Sequence, residues 1–509
     1  MSGAIVDLSK QAPPGRLDAE ICIVGSGCGG GTAARVLAEA GRDVVVLEEG
    51  PDLTGRELTQ RDGAMYDQLY MDRGGRATDD QSISILQGRA LGGGVINACD
   101  VVPIPDGVLD FWRRRYGLTG LTRAALEPHA KAALEDLSAN PIVDGQLNRA
   151  NQLLRAGTEA LGLRGASMIH NRVGCLGLGT CLIGCPANAK RNPRFVSIPR
   201  AVDAGARFYL RSRAVRIDYA RDEVKRIQVR TLDPKGYHEQ HSFEVRAKIV
   251  ILAANAIASA QLLIRSGAGN RHVGQHLSLQ PQLPVTAFFK EAIRAFTGIP
   301  QAYAVTHYEQ SDHPEHGLWG FRIEAIMGTP GIVSTLLPFT GVEGKQAMTT
   351  YDHIAASLLL VPDAPSGTVR VSASGRPSVR YEHREDHKAR LRDGIKVAAR
   401  IYLAAGAERV LVPVWPPLEI RSKADFDKID SLDFKPVSAP LLSAHQQGGV
   451  RFAPSESDGA ADPDGRVYGT RDVYVFDSSG FPSSSSTHTM TPIITMSRYL
   501  SARLLARLG

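Results

Sequence analysis

Two histidines, a run of three cysteines and a row of early glycines are the residues whose types and spacing could do chemistry. Histidine titrates near pH 6.5, so it can take or give a proton at working pH. Among fourteen histidines, two stand in distinctive surroundings. His445 follows Pro440-Leu441-Leu442 and opens the turn His445-Gln446-Gln447-Gly448-Gly449. His488 lies in Ser486-Thr487-His488-Thr489-Met490-Thr491, at the start of the last helical segment. His238, His241, His313 and His316 sit in polar loops and carry no assignment. The run Cys175-Cys181-Cys185-Pro186 has the crowding of iron–sulfur ligand runs. Zinc would need a fourth ligand nearby, which the spacing lacks. Structural packing or a disulfide is the default for these thiols, and an iron–sulfur cluster is the sharper alternative.

The glycines Gly25-Ser26-Gly27-Cys28-Gly29-Gly30 acquire meaning from the elements around them. An apolar run, Ile21 to Val24, precedes them, and an alanine-rich helical segment, Thr32 to Ala40, follows. A second apolar run, Val44 to Leu47, then ends in Glu48. Strand, glycine turn, helix, strand and acid in this order predict a dinucleotide-binding unit. Gly25 permits the tight turn, Gly27 lets backbone approach a pyrophosphate, and Gly30 lets the helix pack on the strand. Helix N–H groups then face the phosphates, and Glu48 can accept from a ribose.

A second glycine cluster, Gly88 to Asn97, lies far from the first. A nicotinamide has no use for a second close backbone approach there, whereas a flavin ring lying against main chain does. Near the end, Val473 to Phe476 forms a strand that closes in Asp477 and turn residues. Free N–H groups at the helix start beyond it could stabilise negative charge on a flavin edge.

The bulk numbers set limits. A chain of 509 residues suggests two domains or one elaborated fold. With 43% hydrophobic and 22% charged residues, the composition is that of an ordinary globular protein. A net charge of +6 without dense basic clusters argues against nucleic acid as a partner. The polar N-terminus lacks an apolar signal core, and the run Ile249 to Ile264 carries Asn255, Ser259 and Gln261. Neither a secretory signal nor a membrane span is expected, which makes the cytoplasm the default location. A charged helical segment is expected from Leu109 to about Leu137, and a helix from Arg384 to Ala405. Between Gln280 and Val412, apolar stretches separated by Gly and Pro predict an antiparallel sheet. The fold class is therefore α/β (α+β overall), a Rossmann-like unit with a discontinuous second domain.

Taken together, these motifs resemble the glucose–methanol–choline (GMC) oxidoreductase family over nearly the whole chain. Leu47-Glu48-Glu49-Gly50-Pro51 is similar to the family's ending of the second strand, and Gly88 to Asn97 to its second FAD signature. Val250 to Ile257 resembles the strand returning to the flavin, and Val273 to Leu277 the segment after it. The His445 turn is similar to the HxxGG active-site motif, and Asp477 to Thr491 to the C-terminal signature. The cysteine stretch before Ala189-Lys190 resembles the branch of bacterial and long-chain alcohol oxidoreductases. Three positions depart from the pattern. The second signature is one residue short between Gly93 and Asn97, Asn255 replaces a glycine, and Gln280 stands where a histidine often occurs.

The resemblance implies FAD, with Gly25, Gly27, Gly30, Glu48, Arg89, Gly92, Gly93, Asn97, Val215, Asp477, Thr489 and Met490 as its contacts. It implies an FAD-binding domain of residues 1–105, 200–280 and 440–509, and a substrate or cap domain of residues 106–199 and 281–439. It implies oxidation of an alcohol to an aldehyde or ketone, with hydride passing to flavin N5. His445 would be the acid–base residue and His488 would orient the substrate oxygen. Oxygen, a quinone or a redox protein would reoxidise the flavin. The many apolar and small residues roofing the site favour a bulky or apolar alcohol. The alternative is an FAD-containing lyase in which the histidines transfer protons. A flavin-binding protein without catalysis is disfavoured, because both acid–base residues are present.

Overall fold

Residues 3–94, 99–219, 223–309, 312–313 and 317–509 are described by a computed structural model. The chain starts with β1 (Ala4–Asp7), β2 (Arg16–Val24), α1 (Cys28–Glu39) and β3 (Val44–Leu47). All four residues of β3 are buried, as a continuous Val/Leu run in a parallel strand requires. The two strands Ile83–Ile85 (β4) and Gly165–Ser167 (β5) follow, separated by helices. The charged helical segment expected from Leu109 to about Leu137 lies in one of the intervening stretches. It is two helices, Asp106–Tyr116 and Arg123–Asp136, because Gly117 turns left-handed at φ 68° and ends the first.

Next come β6 (Arg207–Leu210), β7 (Ser212–Asp218), β8 (Lys225–Leu232), β9 (Glu239–Leu252) and α2 (Ala256–Ser266). The chain then builds β10 (Gln282–Phe288), β11 (Tyr303–Val305), β12 (Arg322–Ile326), α3 (Pro330–Leu336) and β13 (Ile354–Leu360). It continues through α4 (Glu385–Ala404), β14 (Arg409–Val412), β15 (Leu418–Ile420) and β16 (Leu441–Ser443), and ends with β17 (Val473–Val475) and α5 (Met490–Leu508).

The first sheet has the order β1-β6-β3-β2-β9-β8-β7, with β17 on β9. Its β1, β6, β3, β2, β9 and β17 pairings are parallel, and β8 joins β9 and β7 antiparallel. In register, Val24 stands beside Leu47 and Leu252, and Leu252 beside Val475. Four strand ends thus align at one edge, so Gly25, Glu48, Ala253 and Phe476 form one row. The crevice outside carboxyl ends of parallel strands is where such sheets bind ligands.

The second sheet runs β15-β14-β10-β13-β12-β11-β5, and β16 pairs β10 antiparallel and β4 parallel. The pairings from β15 to β5 are all antiparallel, as expected for the region after Gln280. Thr368–Val371 is antiparallel as well but lies outside this sheet, paired with Pro377–Arg380 in a separate hairpin. The short strands β4 and β16 lie in chain segments expected for FAD binding, yet both add to this second sheet. They stitch the two layers together, and β16 carries the chain to His445.

Candidate active site

The glycine turn is built by contact between backbones. Gly25 has φ 96°, and a Cβ there would meet the Ala253 carbonyl oxygen at 2.4 Å. Gly30 packs against the Gly25 carbonyl, where a Cβ would lie at 1.9 Å. Gly93, at φ 65°, rests on Gly27, so the two distant glycine clusters touch. Glu48 is buried, and one carboxylate oxygen accepts from Ser26 N (3.0 Å) and Ser26 Oγ (2.6 Å). Its other oxygen accepts from Gly50 N at 2.7 Å, and Ser26 Oγ in turn takes Gly92 N at 3.0 Å. Burial raises the Glu48 carboxyl above the ordinary range, while these donors pull it down. Ser26, unremarked in the sequence among its glycines, thus ties both turns to the acid.

A cavity of about 1510 Å³ runs from this turn to the second sheet. Gly25, Gly27, Glu48, Arg89, Gly93, Asp477, Thr489 and Met490 line it, together with His445 and His488. Gly30 and Gly92 stand behind the wall. Arg89 is buried and donates to the Gly236 carbonyl at 2.9 Å. Asn97 lies outside the described residues. Val215 is corrected by the structure: it is buried but does not line the cavity, whereas Ser212, Arg213 and Ala214 do. The pairing of β7 with β8 skips Val215 between Ala214 and Arg216, a bulge that breaks strict alternation.

Asp477 accepts from Asn255 N (2.9 Å), Ser259 Oγ (2.6 Å) and Ser479 N (2.8 Å), joining the start of α2 to the last glycine turn. Asn255 adopts φ 80° and ψ 167°, a region almost reserved for glycine rather than the left-handed helical region. Its side chain offsets this by accepting from Ile257 N and Ala258 N, each at 3.0 Å, as a helix cap.

His445 and His488 come from distant segments, yet their rings stand 4.7 Å apart, edge to face. His445 Nδ1 lies 2.8 Å from Gln280 Oε1 and 3.0 Å from Gln282 Nε2. In the tautomer protonated at Nδ1, His445 donates to Gln280 and its Nε2 is an acceptor, whereas in the other tautomer Nδ1 accepts from Gln282. Burial, with the charge of His488 beside it, pushes His445 down to about 3, so it is neutral. His488 behaves oppositely. Its Nε2 meets Glu324 Oε1 at 2.9 Å, Glu324 Oε2 at 3.0 Å and Asp100 Oδ2 at 3.3 Å. Burial opposes the charge, but Glu324 and Asp100 overcome it and raise His488 to about 9. Burial lifts Asp100 to about 6, whereas His488 and Arg322 hold Glu324 well below the carboxylate range despite its burial.

Sequence reasoning missed Glu324, Asp100, Arg322 and Gln282. One signal was available, since Arg322 and Glu324 are charges on alternate residues of an apolar strand, hence on one face. His488 Nε2 and the two carboxylates lie within 4.8 Å of one another, but Arg322 already bonds both acids, at 3.4 and 2.5 Å. The trio is an ion-pair network.

The cysteine run is placed elsewhere. All six cysteines are free, so of the two default readings, packing or a disulfide, the disulfide does not form among the described residues. Cys175 is exposed, Cys181 and Cys185 are half-buried, and the three Sγ atoms do not all fall within 4.8 Å of one another. They gather near the buried cations Arg172 and Lys190. Cys22 and Cys28 are inert, their thiols pushed up to about 12 by burial.

Sheet and crevice define a Rossmann-type dinucleotide-binding fold whose cavity also carries a pair of histidines. Comparison narrows this. The GMC oxidoreductase family profiles match residues 66–282 and 362–497, and a NAD(P)-binding Rossmann-like domain matches residues 23–83. The chain belongs to the GMC oxidoreductase family and is an enzyme with FAD as its cofactor. It is 32% identical to an uncharacterized GMC-type oxidoreductase of Mycobacterium tuberculosis, over 96% of this chain and 76% of the relative. It is 27% identical to the long-chain-alcohol oxidase FAO3 of Arabidopsis thaliana, over 98% of this chain and 69% of that protein. Among solved structures, pyridoxine 4-oxidase from Mesorbium loti shares the fold with a TM-score of 0.73 at 17% identity, covering 96% and 99% of the two chains. Formate oxidase of Aspergillus oryzae gives 0.72 at 14%, covering 97% and 99%.

Proposed function

We propose that this enzyme oxidises an alcohol to an aldehyde or ketone, with His445 taking the hydroxyl proton. The observation that carries the reading is the pair of imidazoles 4.7 Å apart, one set against two glutamines and the other against two buried carboxylates, lining a single cavity with the glycine turns. A neutral imidazole with an open Nε2 is a proton acceptor. A charged imidazole beside it stabilises negative charge developing on the substrate oxygen. FAD supplies the hydride acceptor when bound. Gly25, Gly27, Gly93 and Glu48 would hold its adenosine diphosphate part, with Gly25 and Gly93 held so close to the Ala253 and Gly27 backbone that neither has room for a Cβ, and Asp477, Thr489 and Met490 its other end.

The substrate is a bulky or apolar alcohol. Ile326, Met327, Ile332, Val333, Leu336 and Leu358 line the cavity from β12, α3 and β13. An apolar wall binds alkyl or ring surface and contributes about 25 cal/mol per Å² covered. The relationship to long-chain-alcohol oxidases supports the same class. Oxygen, a quinone or a redox protein would then accept the electrons. No helix among the described residues is long and apolar enough to cross a membrane.

The experiment is anaerobic mixing of holoenzyme with fatty, aromatic, steroid and sugar alcohols, read by the yellow flavin absorbance. Bleaching by an apolar alcohol, abolished in His445→Ala with FAD retained, is the expected result. Persistence of the colour with every alcohol would overturn the reading.

A further inference from the structure

We propose that Glu324 and Asp100 are positioning residues that keep His488 a permanent imidazolium, a fixed charge against the substrate oxygen rather than a second acid–base group. The inference rests on the alcohol-oxidation reading of this cavity, and deepens it by dividing labour between the two histidines.

Three observations carry it. Both Glu324 oxygens and one Asp100 oxygen lie within 3.3 Å of the same His488 nitrogen. Nε2 carries one proton whether the ring is neutral or charged, but the tautomer protonated only at Nδ1 would turn its lone pair toward these carboxylates, so the geometry fixes a proton on Nε2. Both acids are also buried, with side chains 0% and 1% exposed. An uncompensated buried charge is costly, and one cation cannot balance two acids. Arg322 supplies the first positive charge and is shared with Glu309 at 2.7 Å. His488 supplies the second. Finally, the acids are themselves held in place. Gln301 Nε2 donates to Glu324 Oε2 at 2.6 Å and Arg322 Nε to Glu324 Oε1 at 2.5 Å, so the carboxylate cannot swing away.

The other titratable groups facing this cluster do not supply the missing charge. His445 is buried and makes its bonds to Gln280 and Gln282. Buried His170, bridged through its backbone to Asp100, is held neutral by burial and by the nearby Arg172. With Nε2 committed to the carboxylates, Nδ1 is the one donor His488 has left. Its role toward the substrate is therefore to donate and to remain charged, while the proton lost by the alcohol goes to His445.

The test is a titration of histidine-15N-labelled holoenzyme by NMR, with the His488 signal assigned by its loss in His488→Asn. His488 is expected to be an imidazolium at pH 7 and to titrate near pH 9. Removing one opposite charge at hydrogen-bond distance lowers a pKa by about one unit or more. Glu324→Gln should therefore shift the midpoint down by about that much, and Glu324→Asp should recover part of the shift. The alkaline limb of kcat/KM should move with it. If Glu324→Gln does not retain FAD, Asp100→Asn is read in the same way. A neutral His488 at pH 7, or a midpoint unmoved by both variants, would overturn the proposal. An imidazolium that titrates as expected, in an enzyme whose flavin no alcohol bleaches, would instead refute the alcohol reading and leave the charge assignment standing.

Discussion

Replacing Gly93 by alanine should cost the enzyme its FAD, and the structure gives the size of the effect. Gly93 has φ 65°, and its added Cβ would stand 2.6 Å from the Gly27 Cα. A left-handed backbone costs an L-residue about 1–2 kcal/mol. The atom it meets is main chain, so no rotamer change removes the overlap, and overpacking of this kind costs about 1–3 kcal/mol more. The loop escapes both penalties by moving off Gly27, and binding the cofactor must then reverse that movement. The sum, at least about 2 kcal/mol, corresponds to about a 30-fold or greater loss of affinity. The assay is the fluorescence of FAD released on dilution of purified holoenzyme, fitted to a dissociation constant. Gly41→Ala is the control. Gly41 has φ 78° with nothing within 4 Å of an added Cβ, so it carries the backbone strain without the contact. Unchanged FAD affinity in Gly93→Ala, or an equal loss in Gly41→Ala, would refute the argument that the two glycine clusters must touch.

Three further outcomes follow from the same geometry. Gln280→Leu removes the acceptor of His445 Nδ1 and leaves Gln282 to donate to it, which moves the proton to Nε2. Stopped-flow flavin reduction should slow toward the level of His445→Ala, a loss of about 10²–10⁴ for a general base, and a rate equal to wild type would exclude the tautomer argument. Asn255→Gly should be more stable than Asn255→Ala by about 1–3 kcal/mol in urea unfolding, since only glycine relieves this backbone. Equal stability of the two variants would show that Asn255 is unstrained. Lastly, the His488 pKa is raised in the fold from its ordinary 6.5 to about 9. Its contribution to stability is complete below pH 6.5 and is lost as pH rises through 9. The urea midpoint should fall between pH 7 and pH 9, and fall less in His488→Asn; parallel curves would contradict the ion network.

Much of the scaffold was legible because local rules carried it. The strand Val44–Leu47, the helix Glu385–Ala404 and the antiparallel character after Gln280 follow from burial pattern and turn residues. Where reading failed, non-local structure intervened. Inside the expected helical segment, left-handed Gly117 ends one helix before the next begins. The skipped pairing at Val215 put its neighbours on the cavity wall, because a bulge is a property of two strands and not of one. Cysteine spacing could not say that the thiols stay free, since their separation is set by the folded loop.

The sequence by itself determined the glycine turn, the acid that ends β3, the family and the two histidines. Each is a short-range pattern in which residue type and spacing are the chemistry. Only the tertiary structure decided how those histidines differ. His445 and His488 have the same side chain and the same unperturbed pKa. Burial beside two glutamines leaves one neutral, and burial beside Glu324 and Asp100 leaves the other charged. Those partners lie more than a hundred residues away along the chain, and they act through distances of about 3 Å that exist only after both sheets have closed on the cavity.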